Sequence, residues 1–112
     1  MTRSLKHARL LLKKAREDGY VLSRCVSDPQ MPSWTLGFHG QQAVEKAIKA
    51  VLAKCAIEFP RTHDLGLLLQ LLRQCGVTLP PDASDLPRLT PFGVIFRYDE
   101  EPDDEMGKRR QR

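Results

Sequence analysis

Between Ala43 and Cys55 the apolar residues Val44, Ala47, Ile48, Val51 and Cys55 recur at i, i+3, i+4, i+7 and i+11, the period of one helix face. The opposite face carries Glu45, Lys46, Lys49 and Lys54, which predicts a stripe of ammonium groups turned to solvent. Ala43, Ala47, Ala50 and Ala53 raise helix propensity and let a neighbouring helix come close. Such a helix gains most of its stability from packing. The pattern therefore predicts the central helix of a bundle, with His39, Gln41 and Gln42 at its start and its end around Glu58, before Phe59-Pro60.

The same period runs from Ser4, a candidate N-cap, to about Arg24. Leu5, Ala8, Leu12, Ala15, Gly19 and Leu22 share a face that Leu11 widens, while Arg3, Lys6, Lys13, Lys14 and Arg16 lie opposite. Asp28-Pro29-Gln30-Met31-Pro32-Ser33 is a loop by its turn chemistry, and Trp34 and Leu36 are expected to fold back onto the core. Thr62 is the expected cap of a third helix with the apolar face Leu65, Leu68, Leu69 and Leu72 and with Gly76 as its stop. Val77 to Ser84 reads as a connection. Asp85-Leu86-Pro87 reads as the start of a short or broken fourth helix that turns Leu86, Leu89, Phe92 and Ile95 or Phe96 to the core. The expected fold is all-α, an up-and-down four-helix bundle over residues 1–98. From Asp99 the run Asp99-Glu100-Glu101-Pro102-Asp103-Asp104-Glu105, then Lys108-Arg109-Arg110-Gln111-Arg112, has no apolar face to bury, which predicts a disordered tail over residues 99–112.

Composition narrows the function more than the fold. A chain of 112 residues is one domain, and its low aromatic share suits an aliphatic helical core. The net charge of +4 permits an anionic partner without requiring one. The basic amphipathic first helix fits RNA, an acidic protein or an anionic membrane surface, or is a plain solvated face. Cys25, Cys55 and Cys75 lack CxxC spacing and read as reduced structural thiols of a cytoplasmic protein, Cys55 and Cys75 in apolar surroundings. No apolar run is long enough to span a bilayer, so no membrane partner is expected. His7, His39 and His63 form no HxxxH or HExxH pairing, and neither a P-loop nor a GxGxxG is present, so no metal or other cofactor is expected. Trp34 is either a core anchor or a stacking platform for a base.

Three separated motifs carry a family resemblance. Phe38-His39, Gln41-Gln42-Ala43, Glu45-Lys46, Lys49 and Leu52 are followed by Thr62-His63-Asp64-Leu65, then by Leu89-Thr90-Pro91-Phe92 with Arg97-Tyr98. In this order they resemble the HEPN domain family of small prokaryotic helical proteins, over roughly residues 5 to 99. Many members are metal-independent ribonucleases that pair across a dimer and use an Arg and a following His with four to six residues between them. The resemblance implies that Arg97 is the matching Arg, yet positions 102 to 104 hold Pro102, Asp103 and Asp104. Carboxylates beside a scissile phosphate would repel it. Members also usually continue into a further Ala-rich helix, and this chain has the short charged tail in its place.

The resemblance thus implies a non-catalytic binding and regulatory module, with no catalytic residue to assign. Its ligand would be a nucleotide or RNA, or a minimal nucleotidyltransferase in a toxin–antitoxin-like pair, and the chain a homodimer or a subunit of that complex. Arg97, Tyr98, Lys46 and Lys49 are the candidate phosphate and base contacts, joined by His39 and Gln42 if the start of the central helix offers free N–H groups to an anion; the alternative is that His39, Gln41 and Gln42 hydrogen-bond helix to helix. The alternatives are a ribonuclease toxin with a degenerate motif and a purely structural interaction protein.

Overall fold

The computed structural model describes residues 3–93. Among them the chain is all-helical: α1 (Arg3–Cys25), α2 (Ser33–Lys54), α3 (Leu65–Gln74) and a 3-10 helix (Pro81–Leu89), to which residues 90–93 add an α-helical turn. The expectations for Ile95, Phe96, Arg97, Tyr98 and the tail over residues 99–112 lie outside the described residues.

α2 is the middle layer. Its residues Ile48 and Leu52 join Leu65, Leu68, Leu69 and Leu72 of α3 in the aliphatic core, and Leu86 and Leu89 of the 3-10 helix pack against that cluster. On its other side α2 meets α1, where Ala8 and Ala15 are buried and small enough to let the two helices close up. The pair runs antiparallel: Ser4 and His7 of α1 lie by Ala53 and Ile57, while Asp18 reaches His39 and Lys46 nearer the start of α2. No α1 residue enters the leucine cluster. Full burial of leucines of this kind contributes about 1.5–3 kcal/mol each, so most apolar stabilisation resides between α2 and α3.

Helix ends explain the boundaries. Asp28 closes an Asx turn onto the Gln30 amide at 2.9 Å, and the extended Pro32 precedes α2, so the helix begins at Ser33, more than a turn before His39. Expecting the start at His39 overlooked that Ser33-Trp34-Thr35-Leu36 already continues the helix. α2 stops at Lys54 rather than Glu58 because Ala56 takes a left-handed φ of 58°. Ile57 then donates to the Leu52 carbonyl at 2.9 Å and Ala56 to the Ala53 carbonyl at 3.0 Å, a Schellman pair. α3 ends identically, with Gly76 at φ 84° and Val77 bonded to the Leu72 carbonyl at 3.1 Å. Only at Gly76 does the residue type suit the backbone.

Other expectations need correction. Ser4 lies inside α1 rather than capping it. The fourth element opens at Pro81 as a 3-10 helix, so Pro80-Pro81 starts the element instead of lying in a connection. Proline lacks the N–H that a first helical residue leaves unbonded. Cys55 and Cys75 follow the last residues of α2 and α3 and are exposed, not set in apolar surroundings. Trp34, in the first turn of α2, is 37% exposed and does not join the core.

Candidate functional site

The buried stripe of α2 is not the one its apolar period predicts. Gln41, Glu45, Ile48 and Leu52 are buried at i, i+4, i+7 and i+11, with Gln42 beside them, whereas Val51 and Cys55 face out. The aliphatic core therefore continues along α2 into a polar chain. Gln42 Nε2 donates to Gln41 Oε1 at 2.6 Å, and Gln41 Nε2 donates to Glu45 Oε1 at 2.6 Å. Lys49 Nζ donates to Glu45 Oε2 at 2.8 Å, and its ammonium also lies 5.7 Å from the Phe59 ring centroid. His63, from the approach to α3, brings Nδ1 to 2.9 Å from Glu45 Oε1. Gln41, Glu45 and Lys49 can form this chain because i and i+4 lie above one another on a helix.

Burial pushes the Glu45 carboxyl towards its neutral form. The hydrogen bonds from Lys49, His63 and Gln41, with the Lys49 charge, outweigh that penalty and hold Glu45 below its ordinary value. An ionised carboxylate accepts only, so His63 donates to it through Nδ1–H from a half-exposed ring. On the α1 side of α2, Asp18 binds Lys46 Nζ at 2.7 Å and faces His39 Nδ1 at 3.1 Å.

These contacts locate the residues expected to bind a phosphate. Lys46 and Lys49 do not form a solvent-facing stripe: Lys46 meets Asp18 and Lys49 meets the buried Glu45, and neither lysine is fully exposed. His39 and Gln42 sit inside α2, where backbone N–H groups are bonded within the helix, so no anion-binding terminus exists there. The structure brings Lys49 and Gln42 into one network and His39 and Lys46 into another. Arg97 and Tyr98 lie outside the described residues. The helix period places Glu45 on the solvent side and gives Asp18 no partner, although the Glu45–Lys49 spacing of four signals that pair.

The first turn of α3 accounts for the remaining motif residues. Asp64, not Thr62, is its cap, accepting from the Gly66 and Leu67 amides. Thr62 Oγ1 accepts from the Asp64 amide at 3.0 Å one step earlier. The Leu65 amide, the first orphan donor, is met by Thr90 Oγ1 at 3.0 Å from beyond the 3-10 helix. Phe92 lies against Gly37, where an added methyl would overlap its ring. Gly93 lies against Gln41, whose Oε1 would be 2.7 Å from a Cβ there. Sequence reading gave Thr90 no partner, because a contact 25 residues distant leaves no local periodicity.

A family model for the HEPN domain matches residues 8–110. The chain belongs to the HEPN domain family. Comparison with curated proteins and with solved structures finds no match. The motifs that carry the HEPN resemblance within the described residues hold α2, α3 and the segment after the 3-10 helix together. None of those described motif residues is grouped around a metal-ligand set, since no cluster of His, Cys, Asp and Glu that could hold an ion occurs among the described residues. No helix among them is long and apolar enough to cross a membrane.

The outer side of α1 has a different character. Lys6, Arg9, Lys13, Lys14 and Arg16 are exposed, and among the described residues none of them makes a salt bridge. Tyr20 and Val21 stand exposed beside them, lining one surface with Arg9, Leu12, Lys13 and Arg16.

Proposed function

We propose that this HEPN chain is a non-catalytic binding and regulatory module whose ligand carries negative charge. That ligand is a nucleotide or RNA, or a minimal nucleotidyltransferase with which the chain forms a toxin–antitoxin-like pair; the chain itself is a homodimer or a subunit of that complex. The observation that carries this reading is the division of charge. Lys46 and Lys49 are neutralised internally by Asp18 and Glu45, whereas Arg9, Lys13 and Arg16 on α1 are exposed and make no salt bridge among the described residues. Positive charge left free on one helix favours an anionic partner. Positions 102 to 104 after Arg97 hold no histidine, which supports a binding role over strand cleavage.

One geometric feature favours the ribonuclease alternative. Glu45 orients a half-exposed His63 with Lys49 beside the same carboxylate, an arrangement able to move a proton. Two measurements separate the readings. The binding module holds a labelled single-stranded RNA, a nucleotide or a co-expressed minimal nucleotidyltransferase without consuming it, and Arg9→Glu/Lys13→Glu/Arg16→Glu weakens that binding at least about tenfold. RNA cleavage by the purified chain that both Arg97→Ala and His63→Ala abolish would overturn the non-catalytic reading.

A further inference from the structure

Between α1 and α2 runs a groove of about 430 Å³ lined by residues of those two helices, Leu5, Ala8, Arg9, Leu12, Ala47, Ala50, Val51 and Lys54. Its floor is alanine: Ala8 and Ala50 are buried. Its walls are apolar and open, with Leu5 36%, Leu12 40% and Val51 38% exposed. Arg9 stands on the α1 wall and Lys54 on the α2 wall, both exposed and neither in a salt bridge among the described residues. Alanine floors let a backbone approach closely, and open leucine and valine walls accept an apolar stripe spaced i, i+3, i+4, i+7.

We infer that this groove docks an amphipathic helix of another protein, one with an apolar stripe flanked on both edges by Asp or Glu. The proposal rests on the binding-module reading and deepens it by naming the partner's chemistry. Charge complementarity selects the occupant. A second copy of this chain meeting groove to groove would bring the same two cations, Arg9 and Lys54, and no carboxylate, and like charges across an interface oppose association. The chain's own segment 94–105 has the matching sign, but its apolar residues Val94, Ile95 and Phe96 all precede its carboxylates, which begin at Asp99 and are interrupted by Pro102, so it does not set an apolar stripe between acidic edges. RNA would satisfy the cations and leave the exposed side chains of Leu12 and Val51 uncovered. A helix with apolar centre and acidic flanks meets both features.

The test is selection from a displayed library of 18-residue helices with a fixed Leu/Ala stripe and flank positions drawn from Glu, Lys and Gln, against three versions of the full chain. On the wild type, Glu enriches at the flanks. On Leu12→Glu, which alters an exposed wall residue, recovery falls at least tenfold. On Arg9→Glu/Lys54→Glu, the flank preference reverses to Lys, and that reversal requires a folded protein. Flanks that stay the same on the wild type and the charge-reversed chain overturn the proposal, as does recovery that Leu12→Glu leaves intact. Light scattering and RNA titration complete the set: a homodimer, or RNA binding, that Leu12→Glu abolishes would assign the groove to that occupant instead. Failure here, with RNA or nucleotidyltransferase binding retained in Leu12→Glu, removes the groove and leaves the binding-module reading standing.

Discussion

The two sides of α2 are built for different work. Towards α3 the polar groups have partners within the fold: Glu45 has Gln41, Lys49 and His63, the Leu65 amide has Thr90, and the Gly66 and Leu67 amides have Asp64. Leucines buried to 1% or less close the remainder. Towards α1 the contact is a seam of alanines closed at one end by Asp18, with leucines and arginines left in water. Buried, fully bonded polar groups fix one arrangement of a core. Exposed apolar walls beside unpaired charge are features of a surface that meets something else. The HEPN motifs within the described residues lie mainly on the first side, so family likeness here speaks for architecture, and the functional readings rest chiefly on the second.

That contrast breaks most visibly in the core. Leu68→Ala, at a site with no solvent exposure, is expected to cost about 2–5 kcal/mol in urea unfolding, whereas Leu12→Ala on the groove wall costs under about 1 kcal/mol. Equal losses would erase the distinction.

The polar network gives the next effect. Glu45→Gln leaves Lys49 facing an uncharged amide and removes about 1–3 kcal/mol at neutral pH. Its pH dependence has a definite sign. Because the folded carboxyl titrates below its ordinary 4.5, the wild type holds this stability above that value and loses it as pH falls through the lower, folded value. Glu45→Gln removes this contribution, so stability measured between about pH 5 and pH 2 should fall less steeply than in the wild type.

Smaller effects sharpen the account of the helix ends. Thr90→Val removes the hydroxyl that meets the Leu65 amide and should cost about 1 kcal/mol, with no loss of the Asp64 cap. Ala56→Gly, at φ 58°, should raise stability by about 1 kcal/mol by relieving a left-handed non-glycine residue. Gly76→Ala at the equivalent place in α3 should lower it by a similar amount. A neutral result for both would remove the backbone account of the two Schellman ends.

Much of the fold was legible because it is written in local periods. Leu65, Leu68, Leu69, Leu72 and Gly76 predict α3 and its end, and the structure agrees at each residue. α1 was legible in extent, but its face was not: Ala8 and Ala15 are buried where Leu5 and Leu12, at the same period, are exposed. Hydrophobic period alone does not say which edge of a broad stripe a neighbour covers. α2 misled for the opposite reason, since its buried stripe contains Glu45, which the helix period assigns to water, together with Gln41 and Gln42. Polar residues enter a core only when partners at other positions satisfy them, and His63 and Thr90 come from distant parts of the chain. Sequence reading singled out His39, Gln42, Lys46 and Lys49, but not the bonds to Asp18 and Gln41 that the structure gives His39, Lys46 and Gln42.

The most direct test of the two-sided account is a single pair of urea unfolding curves, for Leu12→Glu and His63→Ala, at pH 7. With α1's groove open in the isolated chain, Leu12→Glu shifts stability by less than about 0.5 kcal/mol. His63→Ala, which strips a hydrogen bond from buried Glu45, lowers it by about 1–2 kcal/mol. A loss from Leu12→Glu as large as that from His63→Ala would contradict the account, since the groove would then be closed within the chain and not left for a partner.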